Sequence, residues 1–305
     1  MIGTIATMMS LLLSDPPRPK PAAMVLDLKG SVQLRPVGGE ARPAKVCDLL
    51  YAGERLAIPA DGAATVAILG LGAQERLASG SEATVGPNGC TPVTAVVERR
   101  EQRPAVARTM KGVRPAPGDG RKAAMSLRSI GDEPPAITPI QGATVAADRP
   151  GFAWPTTKGS KGYRVKLLSG DDREFWRAEA TGPKLDYPAG REALKRGYLY
   201  RWEVTDQDSR PVTSGQFLVA TESELKQLEE LRPLTASSDR ADLLAAALAY
   251  RRLGSYAEAI AAFERLAELA PDGDVYRDEL SELSRQAGRP VDLKRGGRGA
   301  AAKHE

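Results

Sequence analysis

The chain has 305 residues, is 42% hydrophobic and carries a formal net charge of +4. That length holds about two or three domains, and a charge excess spread so thinly excludes the concentrated basic footprint of a nucleic-acid-binding protein. Two cysteines and one histidine, His304 in the terminal tail, exclude a disulfide framework and a closed four-ligand zinc site.

The N-terminal run "IGTIATMMSLLL" (2–13) has the length of a signal-peptide apolar region and is too short to span a bilayer. No basic segment precedes it, and the Pro-rich "SDPPRPKPAA" follows. Residues 1–23 therefore read as a degenerate signal and spacer, or as leader text before a start at Met9 or Met24. The first reading implies export to the periplasm or cell envelope, the second a cytoplasmic chain. A strong Ala, Arg and Gly bias, with Asn88 as the one asparagine, points to a GC-rich bacterial genome.

Residues 24–98 are written in short alternating runs. "VLDLKGSVQLR" predicts a hairpin about Lys29-Gly30. "ERLAIPADGAATVAILG" predicts two strands about Asp61-Gly62, and "QERLASGSEATVGPNG" two more. Close, regular turns of this kind predict a small antiparallel sandwich or barrel. Cys47 and Cys90 both fall here. They read either as two small buried thiols or as one bridge, which would contribute about 4 kcal/mol in the chain-entropy account.

The same segment resembles the FecR-like domain of bacterial ferric-citrate-type regulators. "LLYAGERLAI" carries that family's L-x-x-G-(D/E) turn at Gly53 and Glu54. "ATVAILG" supplies its central strand, and "ERLASGSEATV" its ending, with Ser81 in the serine position. "LGLGAQ" stands where the family has Asp-Gly-Ser. The resemblance implies an envelope protein that senses or scaffolds, or a regulator of transmembrane signalling acting on a sigma factor.

Residues 99–133 are rich in Arg, Lys, Pro and Gly and read as a basic solvated linker, with one strand possible in "AMSLRSI". In residues 134–220 strands return. The two-residue period puts Phe152 and Trp154 on one face, and Tyr198, Tyr200, Trp202 and Val204 on another. "GYRVKLLSG" and "REFWRAEA" flank an Asp171-Asp172 turn. The P-x-F-x-W, Y-x-V-x-L and Y-x-W-x-V text resembles fibronectin type III and related Ig-like sandwiches, which implies an aromatic core.

From Thr221 the period becomes helical. "TESELKQLEELRPL" places Leu225, Leu228 and Leu231 on one stripe behind a capping signal. "AYRRLGSYAEAIAAFERLAELAP" resembles a single tetratricopeptide repeat. On that likeness Leu243 takes the first large position, Ala246 and Ala247 the close helix contact, and Tyr250 the first aromatic. Gly254 makes the turn, Tyr256 opens the second helix, Ala259 is the small contact and Phe263 the next aromatic; Pro271 ends the unit. Ala246 is smaller, and Leu266 larger, than the repeat usually has. One repeat cannot bury its face alone, so the helix before it and "DVYRDELSELSRQAG" after it, through Val275, Leu280 and Leu283, are expected to cover it. Residues 221–288 thus form a helical module and 289–305 a basic disordered tail.

The fold expected is mainly β with a C-terminal α module. No catalytic constellation, cofactor fingerprint or metal-ligand spacing stands out: there is no G-x-S-x-G or Walker loop, and "GLGAQE" and "GDGRKA" lack the third glycine of a dinucleotide loop. The sequence reads as a non-catalytic interaction protein whose partner is another envelope protein, with no nucleic-acid ligand and no small-molecule substrate. Envelope carbohydrate binding is the less favoured alternative.

Overall fold

The computed structural model describes residues 20–111, 137–270 and 274–287. The possible leader within 1–19, the "AMSLRSI" segment, Pro271 and the basic tail lie outside the described residues.

The first domain is built from β1 (Ala23–Lys29), β2 (Gln33–Arg35), β3 (Arg42–Pro43), β4 (Leu49–Leu50), β5 (Arg55–Ala57), β6 (Ala63–Ile68), β7 (Ala73–Leu77), β8 (Glu82–Gly86), β9 (Gly89–Thr91) and β10 (Val96–Glu101). They form two antiparallel five-stranded sheets, β10-β7-β6-β1-β4 and β3-β2-β5-β8-β9. Val25, Val66, Ile68 and Leu77 from the first meet Leu34, Leu56, Ala83 and Val85 from the second in one core. One expected feature is corrected. Lys29-Gly30 does not close a hairpin, because β1 and β2 belong to different sheets, and the passage from β5 to β6 crosses between the sheets in the same way. The two crossings touch: a Cβ on Gly30 would stand 3.1 Å from Gly62 Cα, and Gly30 has φ +71. Both positions need glycine for a close backbone approach.

Residues 99–111, expected to be part of the linker at 99–133, are instead largely regular structure, and residues 112–133 lie outside the described residues. Residues 99–101 complete β10, with Arg99 opposite Glu75 on β7, and α1 (Pro104–Lys111) follows. Its Ala105, Val106, Thr109 and Met110 are buried. These positions form one helical face, which the flanking basic residues hide in a reading by composition.

The second β domain contains β11 (Ala143–Val145), β12 (Gly151–Ala153), β13 (Tyr163–Ser169), β14 (Glu174–Ala180), β15 (Lys184–Asp186), β16 (Leu199–Asp206) and β17 (Pro211–Val219). The sheet β11-β17-β16-β13-β14 faces the pair β12-β15, and β11 runs parallel to β17. Between them lie Phe152, Trp154, Trp176, Trp202 and Phe217. Trp202 is opposite Gly215 on β17, where a Cβ would stand 2.8 Å from the indole nitrogen. This is a β-sandwich with an aromatic core. Tyr198 departs from the expected stripe: it precedes β16 and is 58% exposed.

Four helices follow among the described residues: α2 (Glu222–Thr235), α3 (Arg240–Arg252), α4 (Tyr256–Leu269) and α5 (Asp274–Gln286). Thr221 and Glu224 make a reciprocal capping box at the start of α2, and Asp239 caps α3 by accepting from the Ala241 N–H at 2.9 Å. The helices share one apolar cluster with Met24, Leu26, Ala67 and Leu69 of the first sandwich, with Val106 and Met110 of α1, and with Ile140, Ala143 and Ala220 of the second. The helical segment is thus the common packing centre of both β domains.

Candidate functional site

The repeat-like positions fall where the helices pack. Leu243, Ala246, Ala247 and Tyr250 are buried on α3, and Ala259, Phe263 and Leu266 on α4. Small residues on both helices permit close approach of their backbones. Gly254 and Tyr256, half-buried, lie at the α3–α4 turn. Gly254 has φ +75, and its carbonyl accepts the Thr144 N–H of β11 at 2.9 Å, so the turn also docks on the second sandwich. Leu280 and Leu283 of α5 join the cluster as expected, while Val275 is half-buried and the neighbouring Tyr276 enters the core instead.

Polar contacts tie the first sandwich to α3. Arg240 pairs with Asp27 at 2.9 Å, and Arg100 with Asp239 at 3.1 Å and Asp242 at 3.2 Å. Arg252 donates to the Thr109 carbonyl at 2.9 Å, fixing α1 to α3. On the second sandwich Arg196 reaches Glu222 at 3.0 Å.

With those faces occupied, an open groove of about 380 Å³ runs between α2 and α4. Leu225, Leu228, Tyr250, Ala261 and Ala262 give it an apolar bed, and Ala146 of the second sandwich closes one end. Leu225 is half-buried here, whereas Leu228 and Leu231 enter the core. Burial pushes the Tyr250 phenol up to about 12, so it stays neutral and donates to the Leu228 carbonyl at 3.4 Å. Glu229, Arg232, Glu258 and Arg265 line the rim. Arg265 is engaged, donating to the Thr235 and Ala236 carbonyls at the end of α2.

The turn residues singled out in the first domain satisfy backbone groups. Glu54 accepts the Tyr51 N–H at 2.9 Å, Gly53 has φ +91, and the Ser81 hydroxyl donates to the Ala78 carbonyl at 2.6 Å. Cys47 and Cys90 are both free thiols. Cys90 lies in the core of the first sandwich and Cys47 packs against the helix-centred cluster, so they do not form the bridge left open by the sequence. Among the described residues no group of three or more His, Cys, Asp or Glu side chains is placed to hold a metal ion, and no helix is long and apolar enough to cross a membrane.

No family model matches the chain, and no curated protein matches it in sequence. Among solved structures, the FN1–FN3 domains of chicken CNTN1 are similar at 12% identity with a TM-score of 0.22, over 66% of this chain and 57% of that one. A beta-1,2-glucanase from Parabacteroides distasonis is similar at 10% identity with a TM-score of 0.21, over 81% of this chain and 48% of the other. The chain spans about half the length of these structures, and likenesses so slight carry nothing about activity.

Proposed function

We propose that the protein is a non-catalytic interaction module of a bacterial cell envelope, in which the helical segment holds two β domains together and offers the α2–α4 groove to a protein partner. The observation that carries this reading is the groove itself. Its bed of Leu225, Leu228, Tyr250, Ala261 and Ala262, inside a charged rim, suits an amphipathic helix or peptide laid apolar side down. On this reading the helices are tetratricopeptide-like, with α2 and α5 in place of neighbouring repeats. The first domain is FecR-like, by its Gly53-Glu54 turn and Ser81, and the second is of the fibronectin type III kind. Envelope residence follows from those likenesses and from the apolar run at 2–13.

Ala261 is exposed in the groove, so Ala261→Arg blocks the bed without disturbing the core. Crosslinked capture with the full chain from a bacterial envelope extract is expected to recover a defined protein that the Ala261→Arg chain does not. Recovery of the same protein by both chains would remove the groove from the binding surface.

A further inference from the structure

A second site lies where β10 passes into α1. Gln102 and Arg103 connect them, and the Gln102 backbone N–H donates to the Gly72 carbonyl at 2.9 Å. The Gln102 side-chain carboxamide has no such employment: Oε1 and Nε2 are both shut away from solvent without a hydrogen-bond partner in the protein. Buried polar groups in native proteins are ordinarily paired, and an unpaired one calls for an explanation.

Gln102 lines a cavity of about 320 Å³ that also meets Arg103, Val106, Leu234, Arg100 and Asp242. Asp242 is taken by Arg100 at 3.2 Å and by Gln74 at 3.4 Å. Arg103 forms no ion pair among the described residues, and Val106 and Leu234 supply an apolar wall. Arg100 is 44% exposed and reaches Gln74, Asp239 and Asp242 at 3.1–3.2 Å.

We propose that this cavity binds the carboxylate end of an N-acylated aliphatic amino acid. A guanidinium without a partner takes a carboxylate in a fork. A carboxamide presents a donor and an acceptor side by side, the complement of one amide group. The apolar wall seats an aliphatic side chain, and the volume suits a ligand of about one acylated residue. The same chemistry is carried by the last residue of a peptide and by a free N-acyl amino acid. The site is separate from the α2–α4 groove and does not depend on it.

Calorimetric titration of the full chain with N-acetyl-leucine, N-acetyl-leucinamide and a tetrapeptide ending in leucine tests this. Saturable binding of N-acetyl-leucine is expected, with the amide at least about tenfold weaker. Arg103→Ala should bring the same loss. Glu101→Gln should tighten binding, since that carboxylate also lines the cavity and opposes an anion. Gln102→Leu should abolish binding while raising Tm, because it removes the unpaired carboxamide from the interior. A tetrapeptide that binds as well as N-acetyl-leucine assigns the site to chain ends; its exclusion assigns it to free acylated amino acids. Absence of saturable heat with both acids, undiminished binding in Arg103→Ala and Gln102→Leu, or a fall of Tm in Gln102→Leu would each overturn the proposal.

Discussion

Glu75 and Arg99 form a cross-strand pair at the free edge of the first sandwich. The Glu75 carboxylate is fully buried. Its Oε1 accepts from Arg99 Nε at 2.7 Å, and its Oε2 accepts the Cys90 N–H at 2.8 Å. One carboxylate thus joins β7, β9 and β10, and so connects the two sheets.

Removal of either partner leaves a buried group unsatisfied. Arg99→Ala strands the carboxylate; because the Arg99 side chain is 48% exposed, water recovers part of the loss. The expected cost is about 2–3 kcal/mol, below the 3–5 of a fully buried pair. Gly89→Ala should disrupt the same pair, since a Cβ there would run into Arg99 Nη2 and the Glu75 carboxylate at φ +120. Chemical denaturation of both variants checks this. A stability within about 0.5 kcal/mol of the parent for both would mean the pair contributes nothing.

The α3–α4 turn supports a second prediction. Gly254→Ala places a side chain at φ +75 and its Cβ 2.9 Å from Thr144 Oγ1, straining the turn and its contact with β11 together. About 1–3 kcal/mol is the expected loss. Ala259→Leu overpacks a fully buried position at a similar cost. Both positions lie in or beside the cluster shared with the β domains, so the melting transition should shift as a whole. A scan in which the helical signal melts early, with β-sheet and aromatic signals unchanged, would show that the segment is not the common packing centre.

Much of the fold was legible in periodicity. Helical spacing located α3 and α4, and the alternation about Trp202 and Val204 located β16. The partnering of strands was not legible, because a glycine turn looks the same whether the chain returns within one sheet or crosses to another, as at Gly30 and Gly62. The joining of helices to the first sandwich did leave a trace. Ala23–Leu26 and Val66–Leu69 are unbroken apolar runs, and such runs signal strands covered on both faces. The groove left no such trace, since an exposed Ala261 and a buried Ala262 look alike in sequence. Gln102 was equally silent: a polar residue in a basic stretch gives no hint that its amide is buried.

The two thiols give a third prediction. Burial pushes both Cys47 and Cys90 up to about 12, and the thiolate is the reactive form. Native protein at neutral pH should therefore react slowly with a chromogenic disulfide reagent. After unfolding without reductant, two thiols per chain should react at once. No reaction after unfolding would mean that the cysteines are bridged and that the free-thiol arrangement is wrong.

The interface between the first sandwich and α3 should respond to pH through Asp27 and Asp242. Burial raises the pKa of each above the usual 3.8, against the opposing pull of Arg240 and Arg100. A carboxyl whose value is raised by folding holds its proton more tightly in the folded chain. Its contribution is therefore complete below the unfolded value and is lost as pH rises through the folded one. Asparagine keeps an acceptor for the arginine without the cost of a desolvated charge. Asp27→Asn and Asp242→Asn should consequently gain Tm relative to the parent chain between about pH 4 and about pH 7. Melting curves across that window decide the matter. If both variants instead lose ground against the parent as pH rises, the attraction of the arginines outweighs burial, and the ionised pairs, not the buried apolar contacts alone, hold the two segments together.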